Sequence, residues 1–221
     1  TVRVESPMSW GAWVLLFITI GSFLWVFSYF TELFPKLNLK IKWLKQLEQF
    51  LSKNRRNLAL ILLPMSLILG IYTGILLSAF NARPLWNNAI LGPLFLVSGL
   101  STGAACIILF SKDHFERKLF SQIDLALIFI ELALIVHMIM GMYAGSAVQL
   151  EALDILIGGE YTVMFFVFVI ILGLIFPAIL EGIELLGYKV PVVVPAILIL
   201  MGGLIFRMVM IEAGQLTRYL Y

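Results

Sequence analysis

Residues 70–88 read GIYTGILLSAFNARPLWNN, and this stretch sets the architecture of the chain. An apolar run carrying Tyr72 ends at Phe80, and a short polar hinge of Asn81, Ala82, Arg83 and Pro84 follows. Trp86 sits at the turn, and a second apolar run opens with Gly92 and Pro93. Two membrane helices joined by a tight loop with an aromatic anchor fit this pattern. A helix closes its own backbone hydrogen bonds inside lipid, and tryptophan favours the membrane–water interface.

The rest of the chain has the same character. Of 221 residues, 62% are hydrophobic and only 13% charged, with a mean hydropathy of +1.04. That excludes an ordinary soluble domain. The formal charge of +2 gives no basic face for nucleic acid, which is not an expected partner. The one cysteine, Cys106, lies inside an apolar run. It rules out an internal disulfide, a four-cysteine zinc site and a cysteine-ligated iron–sulfur cluster built by these residues alone.

Runs of about 20 apolar residues are long enough to cross a hydrocarbon core of roughly 30 Å. Six are expected, over 8–30, 57–80, 88–110, 124–145, 161–183 and 190–212. The fold class is therefore all-α and integral to a membrane. No basic segment precedes the first span in the manner of a signal peptide. Between the first two spans, Leu37, Ile41, Leu44, Leu47 and Leu51 recur at spacings of three and four. An amphipathic helix over 37–53, lying on the membrane surface, is the expected consequence.

Charge orients the spans. Residues 31–56 carry Lys36, Lys40, Lys42, Lys45, Lys53, Arg55 and Arg56 against Glu32 and Glu48, and residues 111–122 are also basic on balance. Two spans separate these loops, so they share a side, and the lysine and arginine excess makes it cytoplasmic. The acidic loop 146–160 and the RPLWN loop then face outward, as do both ends of this segment. Glycines four apart at Gly70/Gly74, Gly99/Gly103 and Gly141/Gly145 predict close helix packing rather than chemistry.

Ionisable side chains are costly inside a membrane and mark candidate sites. Glu131, His137 and Arg207 lie within the spans, with Asp124, Glu181, Glu184 and Glu212 nearer their ends. At about 1.5 Å per residue, Glu131 falls roughly 10 Å from the cytoplasmic start of its span, and His137 roughly 20 Å. On the same count Tyr72 lies roughly 22 Å along its span and Arg207 about 25 Å along its own, level with His137 and well beyond Glu131. Asp124 and Glu131 are seven apart and share a helix face, which suggests a line of carboxyls entering from the cytoplasm. Hydrogen bonding to neighbouring helices is the plainer reading of both acids. For Arg207, a structural partner and a water-filled pathway are equally compatible with the sequence. His137 is as readily a satisfied interior histidine as a ligand contact. With one histidine at membrane depth and His114 in a loop, no haem is expected, and no metal site is read.

Five motifs in combination, SPMSWGAW (6–13), YTGILLS (72–78), RPLWN (83–87), LVSGLSTGA (96–104) and Arg207 with AGQ (213–215), resemble the NrfD-like family, the quinone-reactive membrane subunits related to polysulfide reductase. The resemblance implies eight or more membrane helices, so the six spans here are expected to be the later part of a longer subunit. It implies a quinone, menaquinone or ubiquinone, as substrate, with Tyr72 at the quinone site and Arg83, Trp86 and His137 around it. A phenol can hydrogen-bond a quinone carbonyl and help pass its proton; packing is the alternative role for Tyr72. Asp124, Glu131, Glu181 and Arg207 would form a proton pathway. Implied partners are a ferredoxin-like iron–sulfur subunit on the outer face, a molybdopterin or other catalytic subunit beyond it, and the lipid of a prokaryotic cytoplasmic membrane. A proton or ion transporter and a passive membrane anchor are the competing readings.

The topology is directly testable. In a background lacking Cys106, a cysteine placed in the 146–160 loop should react with an impermeant thiol reagent added from outside. Labelling confined to the cytoplasmic face would invert the whole map.

Overall fold

The computed structural model describes residues 7–35, 41–188 and 190–218. Among these the regular structure is helical: α1 (Pro7–Phe27), α2 (Phe30–Leu33), α3 (Lys42–Lys53), α4 (Arg55–Ser78), α5 (Leu91–Phe110), α6 (His114–Tyr143), α7 (Ala147–Ile157), α8 (Met164–Leu185) and α9 (Val193–Leu216). Six are long and apolar enough to cross a membrane: Met8–Phe27 within α1, and the whole of α4, α5, α6, α8 and α9. The chain divides into two compact units, residues 1–72 and 73–221.

In the first unit the start of α4 clamps the end of α1. The Arg55 guanidinium donates to the Ser28 carbonyl and, at 3.2 Å, to the Ser28 hydroxyl, and pairs with Glu32 at 2.8 Å. Its plane also lies 3.8 Å from the centroid of the Tyr29 ring, a cation–π contact. The basic segment that follows α2 forms the predicted helix only from Lys42; Leu37 lies outside the described residues. α3 packs on α1, with Leu51 buried and Leu44 and Leu47 half-buried, while Ile41, Trp43 and Phe50 remain exposed. Glu48 is also buried, and its carboxylate accepts from the Thr31 amide at 3.0 Å. Part of the apolar stripe read from the sequence therefore seals a protein contact.

In the second unit α5, α6, α8 and α9 pack around one apolar core that includes Leu94, Ile128, Met138, Phe165, Ile199 and Phe206. α6 begins at His114, ten residues before the span expected from hydropathy. Asp113 caps it, its carboxylate accepting from the Phe115 amide at 3.0 Å, so the polar segment 114–123 continues into the membrane helix without a break. The 146–160 segment, read as an acidic loop, contains α7. A capping box starts that helix, with the Gln149 side chain accepting from the Ser146 amide at 2.9 Å.

The upper half of α8, Met164–Ile175, is wound as a π-helix, and the Phe176 amide reaches back five residues to the Ile171 carbonyl. The winding tightens to α just before Pro177. A proline ring clashes with the carbonyl four residues back, here Gly173, and this favours the wider turn upstream. Gly187, with φ of 98°, then turns the chain toward α9 in a conformation that a side chain would strain.

The four-residue glycine spacing overstates the packing role of these glycines. Gly74 does touch the Leu91–Gly92 backbone, but no atom lies within 4 Å of a methyl group placed at Gly103 or Gly141. A second close backbone approach joins Gly173 of α8 to Gly202 of α9, where a methyl on Gly173 would stand 2.7 Å from the Gly202 Cα. Gly202→Ala should therefore force α8 and α9 apart and destabilise the protein by about 1–3 kcal/mol. Gly103→Ala should be neutral or slightly stabilising, since alanine is the better helix former. Thermal unfolding in detergent distinguishes the two; equal effects would refute the glycine contact.

Candidate functional site

The second unit buries three carboxyl groups in an otherwise apolar helix bundle. Asp124 and Glu131 of α6 and Glu181 of α8 are each at most 2% exposed. Asp124 faces Glu181 and the Ser101 hydroxyl of α5. Two turns further along α6, Glu131 faces the Ser98 hydroxyl and the charge of Arg207. Ser98, Ser101 and Ser121 are as deeply buried as the acids. None of these three hydroxyls, and neither oxygen of Asp124 or Glu181, sits in hydrogen-bond geometry with a protein group. Unsatisfied buried oxygens are rare in folded proteins and point to an occupant, such as water or a proton.

Arg207 is half-buried, and its guanidinium donates to the Gly203 carbonyl of its own helix at 2.8 Å. It lies beyond ion-pair contact with Glu131. Glu131 and Arg207 are nonetheless on one level, which corrects the depths inferred from hydropathy. Counted from the real start of α6, Glu131 is about 25 Å along its helix, and Arg207 about 21 Å along α9. The early capping of α6 at Asp113 accounts for the shift. A narrow seam between α5, α6, α8 and α9 connects Ser98, Ser101, Thr102, Glu131 and Gly203, and in this state it is too tight to admit a water molecule. The seam also touches Val169 and Leu174 in the π-wound half of α8.

The RPLWN loop is pinned by the last turns of α9. The Trp86 indole is 92% buried and donates to the Met210 carbonyl at 2.8 Å. Its ring rests on Gly214, the glycine of AGQ, where a methyl group would overlap it. The Arg83 guanidinium donates to the Thr217 carbonyl, so both ends of the motif bind the same helix end. Trp86 is thus a core anchor, and this end of the unit is tied together by two of the sequence motifs.

Tyr72 belongs to the first unit. Its ring is half-buried against Gly11 of α1, so close that no side chain fits at Gly11. SPMSWGAW and YTGILLS therefore meet at one contact, tyrosine on glycine. His137 is exposed on α6, directed away from the core that holds its neighbours Ile135 and Met138. The structure brings Asp124, Glu131, Glu181 and Arg207 together and leaves His137 outside that group. Sequence reasoning missed the hydroxyls of Ser98, Ser101 and Thr102, although their i, i+3 and i+4 spacing was a visible sign of one polar helix face.

Over residues 1–218 the chain matches the family described as polysulphide reductase, NrfD. It is similar to Protein NrfD of Escherichia coli (strain K12), with 32% identity over 96% of this chain and 71% of that protein. It is also similar to the Protein NrfD homolog of Haemophilus influenzae, with 32% identity over 83% of the chain and 59% of that protein. The C subunit of the polysulfide reductase of Wolinella succinogenes is 30% identical over 72% of the chain and 54% of its own length. The chain thus spans between about half and three quarters of these relatives. No solved structure matches it.

Proposed function

We propose a function from one premise: the chain belongs to the polysulphide reductase, NrfD family, and so is an integral membrane subunit of a redox complex. In this reading it oxidises a membrane quinol, or reduces a quinone, and exchanges the electrons with an iron–sulfur subunit docked on the outer face. A molybdopterin or other catalytic subunit lies beyond that partner. Oxidation of one quinol releases two electrons and two protons. The electrons leave for the partner's cluster, while the protons need groups that can accept them.

The observation that carries this reading is the buried line Glu181–Asp124–Glu131, with Arg207 beside its Glu131 end. Bare carboxylates in the interior cost several kcal/mol each, so such groups persist where they do chemistry or are strongly compensated. Here the direct compensation is sparse, with oxygens of Asp124 and Glu181 left without protein partners. Carboxyls two turns apart, with serine hydroxyls facing them, are suited to hold and pass protons when water enters the seam. The π-wound half of α8 lines that seam, and a helix with irregular winding can loosen there at lower cost than a regular one.

Tyr72 is the proposed quinone contact. Its hydroxyl would donate a hydrogen bond to a quinone carbonyl or accept one from a quinol hydroxyl, and its ring is held in position by Gly11. Arg83 and Trp86 hold the RPLWN loop in place, and His137 is exposed on α6. The same acids suit an ion-translocating subunit without redox work, which would leave Tyr72 without a chemical task.

Tyr72→Phe keeps the ring on Gly11 and removes only the hydroxyl. Loss of one hydrogen bond of about 1–1.5 kcal/mol should lower quinol turnover by the intact complex about tenfold, with assembly unchanged. Wild-type turnover in this variant, measured in membranes with a defined quinol, would rule out Tyr72 as the contact.

A further inference from the structure

At the end of the second unit opposite the RPLWN loop lies a cavity of about 420 Å³ that the acid line does not use. It opens where α6 starts, α8 ends and the chain turns into α9. His114, Arg117 and Lys118 form one wall, with Glu184 and Tyr188 across from them and Val192 beside them. Arg117 and Lys118 supply two cations against the one carboxyl of Glu184. Arg117 is already held in place: its Nε and one terminal nitrogen donate to the Ser111 carbonyl at 2.7 and 2.5 Å. The other edge of the guanidinium remains available, and a fixed planar fork suits phosphate oxygens. Lys118 and Tyr188 are exposed and add mobile donors.

We infer that this cavity binds the phosphate headgroup of an anionic phospholipid. The shared chemistry is phosphate recognition, which a free phosphate ion would also satisfy; the position of the cavity favours the lipid. α6, α8 and α9 are all long enough to cross a membrane, so the ends they share lie at the membrane surface. Large apolar side chains flank the opening and face outward, with Phe115 73% and Leu186 79% exposed, as required beside acyl chains. By the excess of lysine and arginine this surface is the cytoplasmic one, where anionic lipids concentrate basic groups. A soluble anion has no use for that apolar margin. A phospholipid uses both parts, its phosphate between Arg117 and Lys118 and its acyl tails past Val192 and Leu186.

The test uses the purified full-length protein, delipidated in a non-ionic detergent, and phosphatidylglycerol labelled on an acyl chain. Wild-type protein should bind this probe well in preference to equally labelled phosphatidylcholine. Removing one surface charge is worth about fivefold in such binding, so Lys118→Gln should weaken it by about that factor and Arg117→Gln/Lys118→Gln by more. Lys118 is exposed, and an unchanged thermal midpoint would show that the Lys118→Gln fold is intact. Inorganic phosphate at millimolar concentration should leave the lipid bound. Equal binding of the two lipids, or variants that bind like the wild type, would overturn the inference. Displacement of the probe by millimolar phosphate would overturn it too, and reassign the cavity to a free anion.

Discussion

Burying carboxyl groups in a membrane bundle is the constraint on which the second unit depends. A hydrocarbon slab offers no water to solvate charge, so a carboxylate there must face protein. Asp124, Glu131 and Glu181 do so, buried in the bundle, while large apolar side chains such as Phe129, Ile130 and Val136 of α6 stay exposed. The demand propagates outward. Serines rather than leucines occupy positions 98 and 101 opposite the acids, and Gly203 leaves room for Arg207 and Thr102 beside them. The contact of Gly173 with Gly202 draws α8 close enough to α9 to close the seam.

The motifs divide between the two units in a physically sensible way. In the first, SPMSWGAW and YTGILLS meet through the Tyr72 ring on Gly11, a contact that seats an aromatic side chain on a neighbouring helix. In the second, RPLWN and AGQ meet through Trp86 on Gly214, with an indole hydrogen bond to Met210. Each pairs a large aromatic with a glycine on another helix. The aromatic then anchors the backbone at a position that composition alone treats as ordinary packing.

Much of the fold was legible because hydropathy reports what lipid demands. All six spans appear as helices, and the motif residues fall on α1, α4, α5, α9 and the loop before α5 as the sequence placed them. The start of α6 was not legible that way. A capping aspartate lets a polar segment join a membrane helix, and hydropathy sees only the apolar part. Glycine spacing also misled, since contact depends on which face meets a neighbour, and Gly103 and Gly141 meet none. The line of acids was visible as residues, but its hydroxyl partners on α5 were not recognised. Serines in an apolar run cost little and draw no notice until a carboxyl is seen across from them.

The central claim is that the buried carboxyls exchange protons in step with quinone chemistry. Redox-difference infrared spectroscopy of the intact complex observes this directly, because a protonated carboxyl and a carboxylate absorb at separate frequencies. Reducing and reoxidising the quinone pool should produce a reversible protonated-carboxyl signal, shifted in heavy water and lost in Asp124→Asn or Glu131→Gln. A spectrum with no carboxyl signal, or one unchanged in both variants, would contradict the account and leave the buried acids a structural role alone.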